Sequence, residues 1–258
     1  MAKKMKWYNP GFIFVLLGIV LAPLYWIMSD GSGAWYDFSH VLSGSVIGAY
    51  TQQHFFTRMG AITLLVWSFF GLLAFENGDR QITGAKTSQK LRIYLGLLWL
   101  LEALWWVLLG KTSSLIWIIT IAFLPGQARD YLKLISRTPA FRKPAWQIKL
   151  PAGLQFSYVM VYCLFGLLYY AERSGLSIAP YWLALILIVG YLVCLWHYAY
   201  LGNPMTTVAI SLLNLDWLIN TVGVLGWAHW LTLSLALLLI VGLLGQYYLF
   251  KLQKKETI

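Results

Sequence analysis

Two acids, Glu102 and Asp216, interrupt stretches that are otherwise apolar enough to lie in lipid. A carboxyl group at that depth can load and release a proton or hold a cation, and placing it there costs about 2.5–3.5 kcal/mol on insertion scales. Such a residue therefore faces a protein interior or a wet path, and function is its default reading. Around Asp216 the chain reads Asn214, Leu215, Asp216, Trp217, Leu218, Ile219, Asn220, and the spacing of four puts Asp216 and Asn220 on one helical face. This polar stripe, with Asn214 beside it, suits cation or proton handling next to a transported solute. The structural alternative is a hydrogen-bonded clamp between neighbouring helices. Glu102 is flanked by Trp99, Trp105 and Trp106, which are packing residues or lipid anchors.

Histidines form the second constellation. His40, His54 and His229, with Asp37 three residues before His40, offer three imidazoles and a carboxylate toward one face of the membrane, the donor set of metal-assisted hydrolysis or metal uptake. If residues 36–56 instead span the bilayer, His40 and His54 lie about 21 Å apart along one helix. With His197 and His229 they then become ligands for two b-type haems. No cofactor is the leading expectation, with a metal ion or haem b as the alternatives.

These residues are carried by a chain of 258 residues that is 60% hydrophobic and 11% charged, outside the range of ordinary soluble domains. The composition predicts an all-α polytopic membrane protein. Apolar runs long enough to cross about 30 Å of hydrocarbon fall near 11–28, 59–75, 93–110, 112–128, 154–171, 181–200, 205–226 and 230–250, giving eight spans. Residues 36–56 are broken by His40, Ser43, Gly44, Ser45, Gly48, Gln52, Gln53 and His54, so 30–58 is expected as an interfacial or re-entrant segment on the outer face.

Charge sets the direction. With eight spans and the amino end inside, all of the 19 Lys and Arg except Arg58, Lys111 and Arg173 fall on the cytoplasmic side, as the positive-inside rule requires. A ninth span reverses that bias or exports Lys3, Lys4 and Lys6. Both termini are accordingly expected in the cytoplasm of a multi-pass plasma-membrane protein. The amino-terminal Lys3, Lys4 and Lys6 before an apolar run mimic a secretory signal, but Pro23 stands where cleavage needs an open backbone. That run is expected as a retained anchor. The net charge of +10 is spread between apolar runs, which argues for orientation and against nucleic-acid binding.

Three units follow. Residues 1–128 form a first membrane half, 129–153 a basic cytoplasmic loop, and 154–258 a second half. Glu102 lies about 15 Å into the third span of the first half and Asp216 about 16 Å into the third span of the second, equivalent places in a possible 4+4 parallel repeat. The loop at 129–149 reads either as a short interfacial helix held to anionic headgroups or as a docking surface for a cytoplasmic partner. Cys163 and Cys194 lie inside spans and read as small buried hydrophobes. The 14 Trp and 16 Tyr exceed what interfacial belts use, and those at mid-span, such as Trp67, Trp99, Tyr162 and Tyr191, line a cavity or pack. Gly-rich phosphate loops, His-Glu-x-x-His and Gly-x-Ser-x-Gly are missing, which argues against a self-contained ATPase or zincin.

Two fragments, Tyr36-Asp37-Phe38-Ser39-His40 and Asp216-Trp217-Leu218-Ile219-Asn220-Thr221-Val222-Gly223, resemble pieces of VanZ-like membrane proteins. The Glu-x-x-Gln element belonging between them is missing and their separation is far longer, so no residue role follows from the resemblance.

The leading expectation is a transporter, or the membrane subunit of one, moving a small solute or ion past Asp216, Asn220, Glu102 and Asn214, with proton coupling through the acids. A membrane enzyme acting on lipid or lipid-linked substrates through Asp37, His40, His54 and His229 is the rival. A di-haem electron carrier and a non-catalytic assembly or immunity partner are further alternatives.

Overall fold

The structure is a computed structural model that describes residues 55–57, 59–64, 66–67, 85–108, 114–138, 146–173, 175–176 and 179–255. All regular structure among the described residues is helical. Helical residues 55–57, 59–64 and 66–67, here the 55–67 stretch, precede α1 (Ala85–Leu108), α2 (Ser114–Arg137), α3 (Trp146–Arg173), α4 (Tyr181–Leu201), a 3-10 turn η1 (Pro204–Thr207), α5 (Val208–Leu225) and α6 (Trp230–Lys255).

The connections show why the chain turns where it does. After α4, Gly202 adopts a left-handed φ of 64° and its N–H reaches the Tyr198 carbonyl, a conformation that costs any residue with a Cβ. Asn203 then caps η1, its Oδ1 accepting from Met205 N at 3.1 Å while its amide donates to the Lys149 carbonyl of α3. The Asn203 side chain fills the space over Gly153, where a Cβ would overlap it. Two α3 features thus seat the α4–α5 corner. Ser157 Oγ on α3 accepts from the Ala209 and Ile210 N–H groups at 3.0 and 3.4 Å, satisfying first-turn donors of α5 that the helix itself cannot pair. His229 performs the same service for α6, its Nδ1 accepting from Leu231 N at 3.2 Å.

Long-range bonds fix one pole of the bundle. Arg137 at the end of α2 donates to Tyr200 at the end of α4 at 2.8 Å, Asn203 meets Lys149 near the start of α3, and Gln253 in the last turn of α6 donates to the Tyr198 carbonyl at 3.2 Å. Successive helices from α2 to α6 therefore alternate in direction.

Helix α3 is the axis of this bundle. Over Ile148–Leu168 it is 82% buried, whereas the corresponding stretches of α5, α4 and α6 are 50%, 33% and 11% buried. Leu98, Leu132, Ile135, Phe156, Val159 and Trp217 lie in the core at 0–1% exposure. At the rim, α6 turns Leu233, Leu237, Ile240, Leu244 and Tyr247 outward. An apolar surface this continuous is disfavoured in water and suited to lipid. Among the described residues four helices, α3, α4, η1 with α5, and α6, are long and apolar enough to cross a membrane.

Helices α1 and α2 overlap the expected spans 93–110 and 112–128 but are not among those four, while 11–28, most of 59–75 and most of the 30–58 segment lie outside the described residues. The basic loop is shorter than expected. Residues 129–137 continue α2 because Ala128, Tyr131, Leu132 and Ile135 recur at helical spacing and are all buried, leaving the basic side chains for the opposite face. Residues 146–153 likewise belong to α3, and 139–145 lie outside the described residues. Cys163 and Cys194 are buried thiols.

Candidate functional site

Asp216 stands at the middle of α5 and is 2% exposed. Its carboxylate accepts three hydrogen bonds from the 55–67 stretch: Phe56 N to Oδ1 at 3.0 Å, Thr57 N to Oδ2 at 2.8 Å, and Thr57 Oγ1 to Oδ2 at 2.5 Å. Two consecutive backbone N–H groups of the stretch, Phe56 and Thr57, thus point at one carboxylate. Left unpaired in an apolar interior each such donor would cost several kcal/mol.

Tyr158 of α3 completes the arrangement. Its hydroxyl donates to the Thr57 carbonyl at 2.8 Å, so one residue, Thr57, is bound through N–H, hydroxyl and carbonyl and is fully buried. The approach is close because residue 60 is glycine. A Cβ there would overlap both the Tyr158 hydroxyl and Leu212 of α5. Residues 56 and 57, expected at the outer face, thus reach the mid-length of α5.

Glu102 comes from α1 and accepts from Gln155 Nε2 of α3. Gln155 is 3% exposed and lies one turn before Tyr158, so both acids address the same face of α3. Tyr162, a further turn along, has its ring centroid 6.0 Å from that of Tyr158 and lies within electrostatic reach of Glu102. A polar strip of Gln155, Tyr158 and Tyr162 on the most buried helix separates the two acids. They do not share one binding point.

The other expected residues divide between faces. Asn220 is buried one turn beyond Asp216 on the same side of α5. Asn214 points elsewhere, toward α4: its amide nitrogen lies 3.4 Å from the Tyr191 hydroxyl, which donates to Ser211 Oγ at 3.3 Å. Among the described residues the fully buried Asn214 has no partner for Oδ1. His229 is committed as the α6 cap, and His197 bonds through Nδ1 to the Val193 carbonyl at 2.8 Å with its ring 4.4 Å from Phe156. Asp37, His40 and His54 lie outside the described residues. Among the described residues no group of three or more His, Cys, Asp or Glu could hold a metal ion.

Thr57, Tyr158 and Gln155 are the residues of this candidate site that sequence reasoning passes over. Gln155 carries a usable signal, an amide inside an apolar run and three residues from a tyrosine on the same helical face. Thr57 carries none, because what it brings to Asp216 is mostly main chain. Compared with family models, curated proteins and solved structures, the chain matches none of them.

Proposed function

We propose that the chain is a multi-pass plasma-membrane transporter, or the membrane subunit of one, for a small solute or ion, with Asp216 as its coupling acid. It has eight spans and both termini in the cytoplasm. The observation that carries the reading is a pair of consecutive backbone N–H groups, Phe56 and Thr57, held inside the bundle by an acid at the middle of α5. Discontinuous helices whose positive ends meet a charged group near the midplane are the architecture of many secondary transporters, where exposed backbone is allowed only around a cavity or a buried partner.

The chemistry follows from the three bonds. As an anion, Asp216 engages both Phe56 and Thr57 N–H and pins the 55–67 stretch to α5. Protonation removes the charge from bonds worth about 1.5–3 kcal/mol each, enough to free the stretch and present its N–H groups to a solute acceptor. Gly60, with no side chain, lets the stretch slide past Tyr158 and Leu212. Glu102 with Gln155 serves as a second acid on the far side of the α3 strip, a relay or clamp station and not part of the solute site.

Electrometry on proteoliposomes tests this. Pulses of amino acids, sugars, nucleosides and monovalent cations under an inward proton gradient should reveal a solute that evokes current with the native chain and not with Asp216→Asn. Equal currents in the two proteins, or no current from any solute with correctly inserted native protein, would remove the reading.

A further inference from the structure

The outer face of α2 carries Arg129, Lys133 and Arg137, four residues apart and so rotated by only about 40° from one to the next. They lie opposite the buried Ala128, Tyr131, Leu132 and Ile135; Arg129 and Arg137 are exposed and Lys133 is half-buried. One exposed acid, Asp130, shares this face, leaving it net positive.

Across from it, α4 presents an exposed stripe at helical spacing: Leu185, Val189, Leu192, Trp196 and Tyr200, with Trp196 68% exposed. The stripe runs from the second turn of α4 to the pole and ends where Arg137 Nη2 donates to the Tyr200 hydroxyl at 2.8 Å. Arg129 lies within electrostatic reach of His197, the neighbour of Trp196. A cationic head region thus continues directly into an apolar wall about four turns of helix long. Arg137 uses one of its five N–H donors on Tyr200, which fixes the guanidinium and leaves the remainder for an anion. Phosphate matches that fork as carboxylate does.

We propose that the cleft between α2 and α4 at this pole binds an anionic phospholipid, its phosphate held by Arg129, Lys133 and Arg137 and an acyl chain lying along the α4 stripe. Basic pockets between spans on the cytoplasmic side are suited to such headgroups. The assignment rests on the membrane-spanning part of the functional reading and is independent of transport.

Native mass spectrometry of the purified full-length protein, titrated with phosphatidylglycerol or with phosphatidylcholine of the same acyl chains, tests it. Phosphatidylglycerol should bind the tighter. Arg129→Gln with Arg137→Gln should lower that affinity about 25-fold, about fivefold per cation near a charged headgroup, with phosphatidylcholine binding unchanged. Lys251→Gln, an equal loss of charge per site at the same pole on α6, should leave the preference intact. A measurement on the native chain alone covers the case of a poorly folding variant: the preference should fade as salt approaches about 1 M, where charges are screened within about 3 Å. Equal binding of the two lipids, a preference that survives high salt, or an equal loss in Lys251→Gln would overturn the proposal. So would displacement of phosphatidylglycerol by excess inorganic phosphate, which would make the cleft a free-anion site.

Discussion

Replacing Asp216 with Asn keeps the side chain's size and alters only what it offers to the 55–67 stretch. The new Oδ1 can still accept from Phe56 N, where the native bond is 3.0 Å. An Nδ2 in place of Oδ2 meets the Thr57 N–H donor to donor at a site where the native pair stands 2.8 Å apart. It can donate instead to Thr57 Oγ1, so the net result is one buried N–H without an acceptor, about 1–3 kcal/mol. The surviving Phe56 bond also loses its charge assistance, about 1 kcal/mol more. The sum, about 3 kcal/mol, raises the local opening constant about 100-fold. Hydrogen exchange read by mass spectrometry in lipid nanodiscs measures this directly: peptides covering 55–67 should exchange about 100-fold faster, while α4 and α6 peptides keep their native rates. Unchanged exchange across 55–67 would refute the reasoning. A uniform rise over every helix would do so too, since it would mean global loosening and no local pin.

Gln155→Met removes the donor to Glu102 and should destabilise the α1–α3 packing by about 1.5–3 kcal/mol; adding Glu102→Leu should restore most of that, as read by unfolding in mixed detergent. Gly60→Ala places a methyl against Tyr158 and Leu212 and should cost about 1–3 kcal/mol, with partial rescue when Tyr158→Phe removes the hydroxyl it meets. Ile240→Arg, at a position 55% exposed near the middle of the apolar span Trp230–Gln253 of α6, should cut membrane insertion by about 2.5–3.5 kcal/mol on a translocon scale; normal insertion would show that this face does not meet lipid.

What was legible in the sequence follows from what each residue carries in its own side chain. Asp216 declares itself because a carboxylate amid Leu, Ile and Trp has no cheap solvation, and the structure accordingly surrounds it with donors. Its partners stay hidden because two of the three are backbone N–H groups at residues 56 and 57, which look alike in every sequence. Spacing suggests equivalent depths for the two acids, yet helix rotation decides where they point, and neither apolar run marks the α3 face at Gln155, Tyr158 and Tyr162. Asn214 and Asp216 are two residues apart and so about 200° around the helix, which is why one faces α4 and the other the 55–67 stretch. The short interfacial helix expected within 129–149 proves continuous with α2, its buried Tyr131, Leu132 and Ile135 on one side and Arg129, Lys133 and Arg137 on the other.

The account's centre is the bond between Asp216 and the main chain of Thr57 inside the bundle. Solid-state NMR on the full chain in lipid bilayers, with 13C in aspartate and 15N in threonine, reads that contact as a dipolar coupling between Asp216 Cγ and Thr57 N. A coupling of the strength expected for a direct hydrogen bond of 2.8 Å is predicted. Its absence in a sample whose other helix contacts are intact, such as Arg137 with Tyr200, would contradict the account.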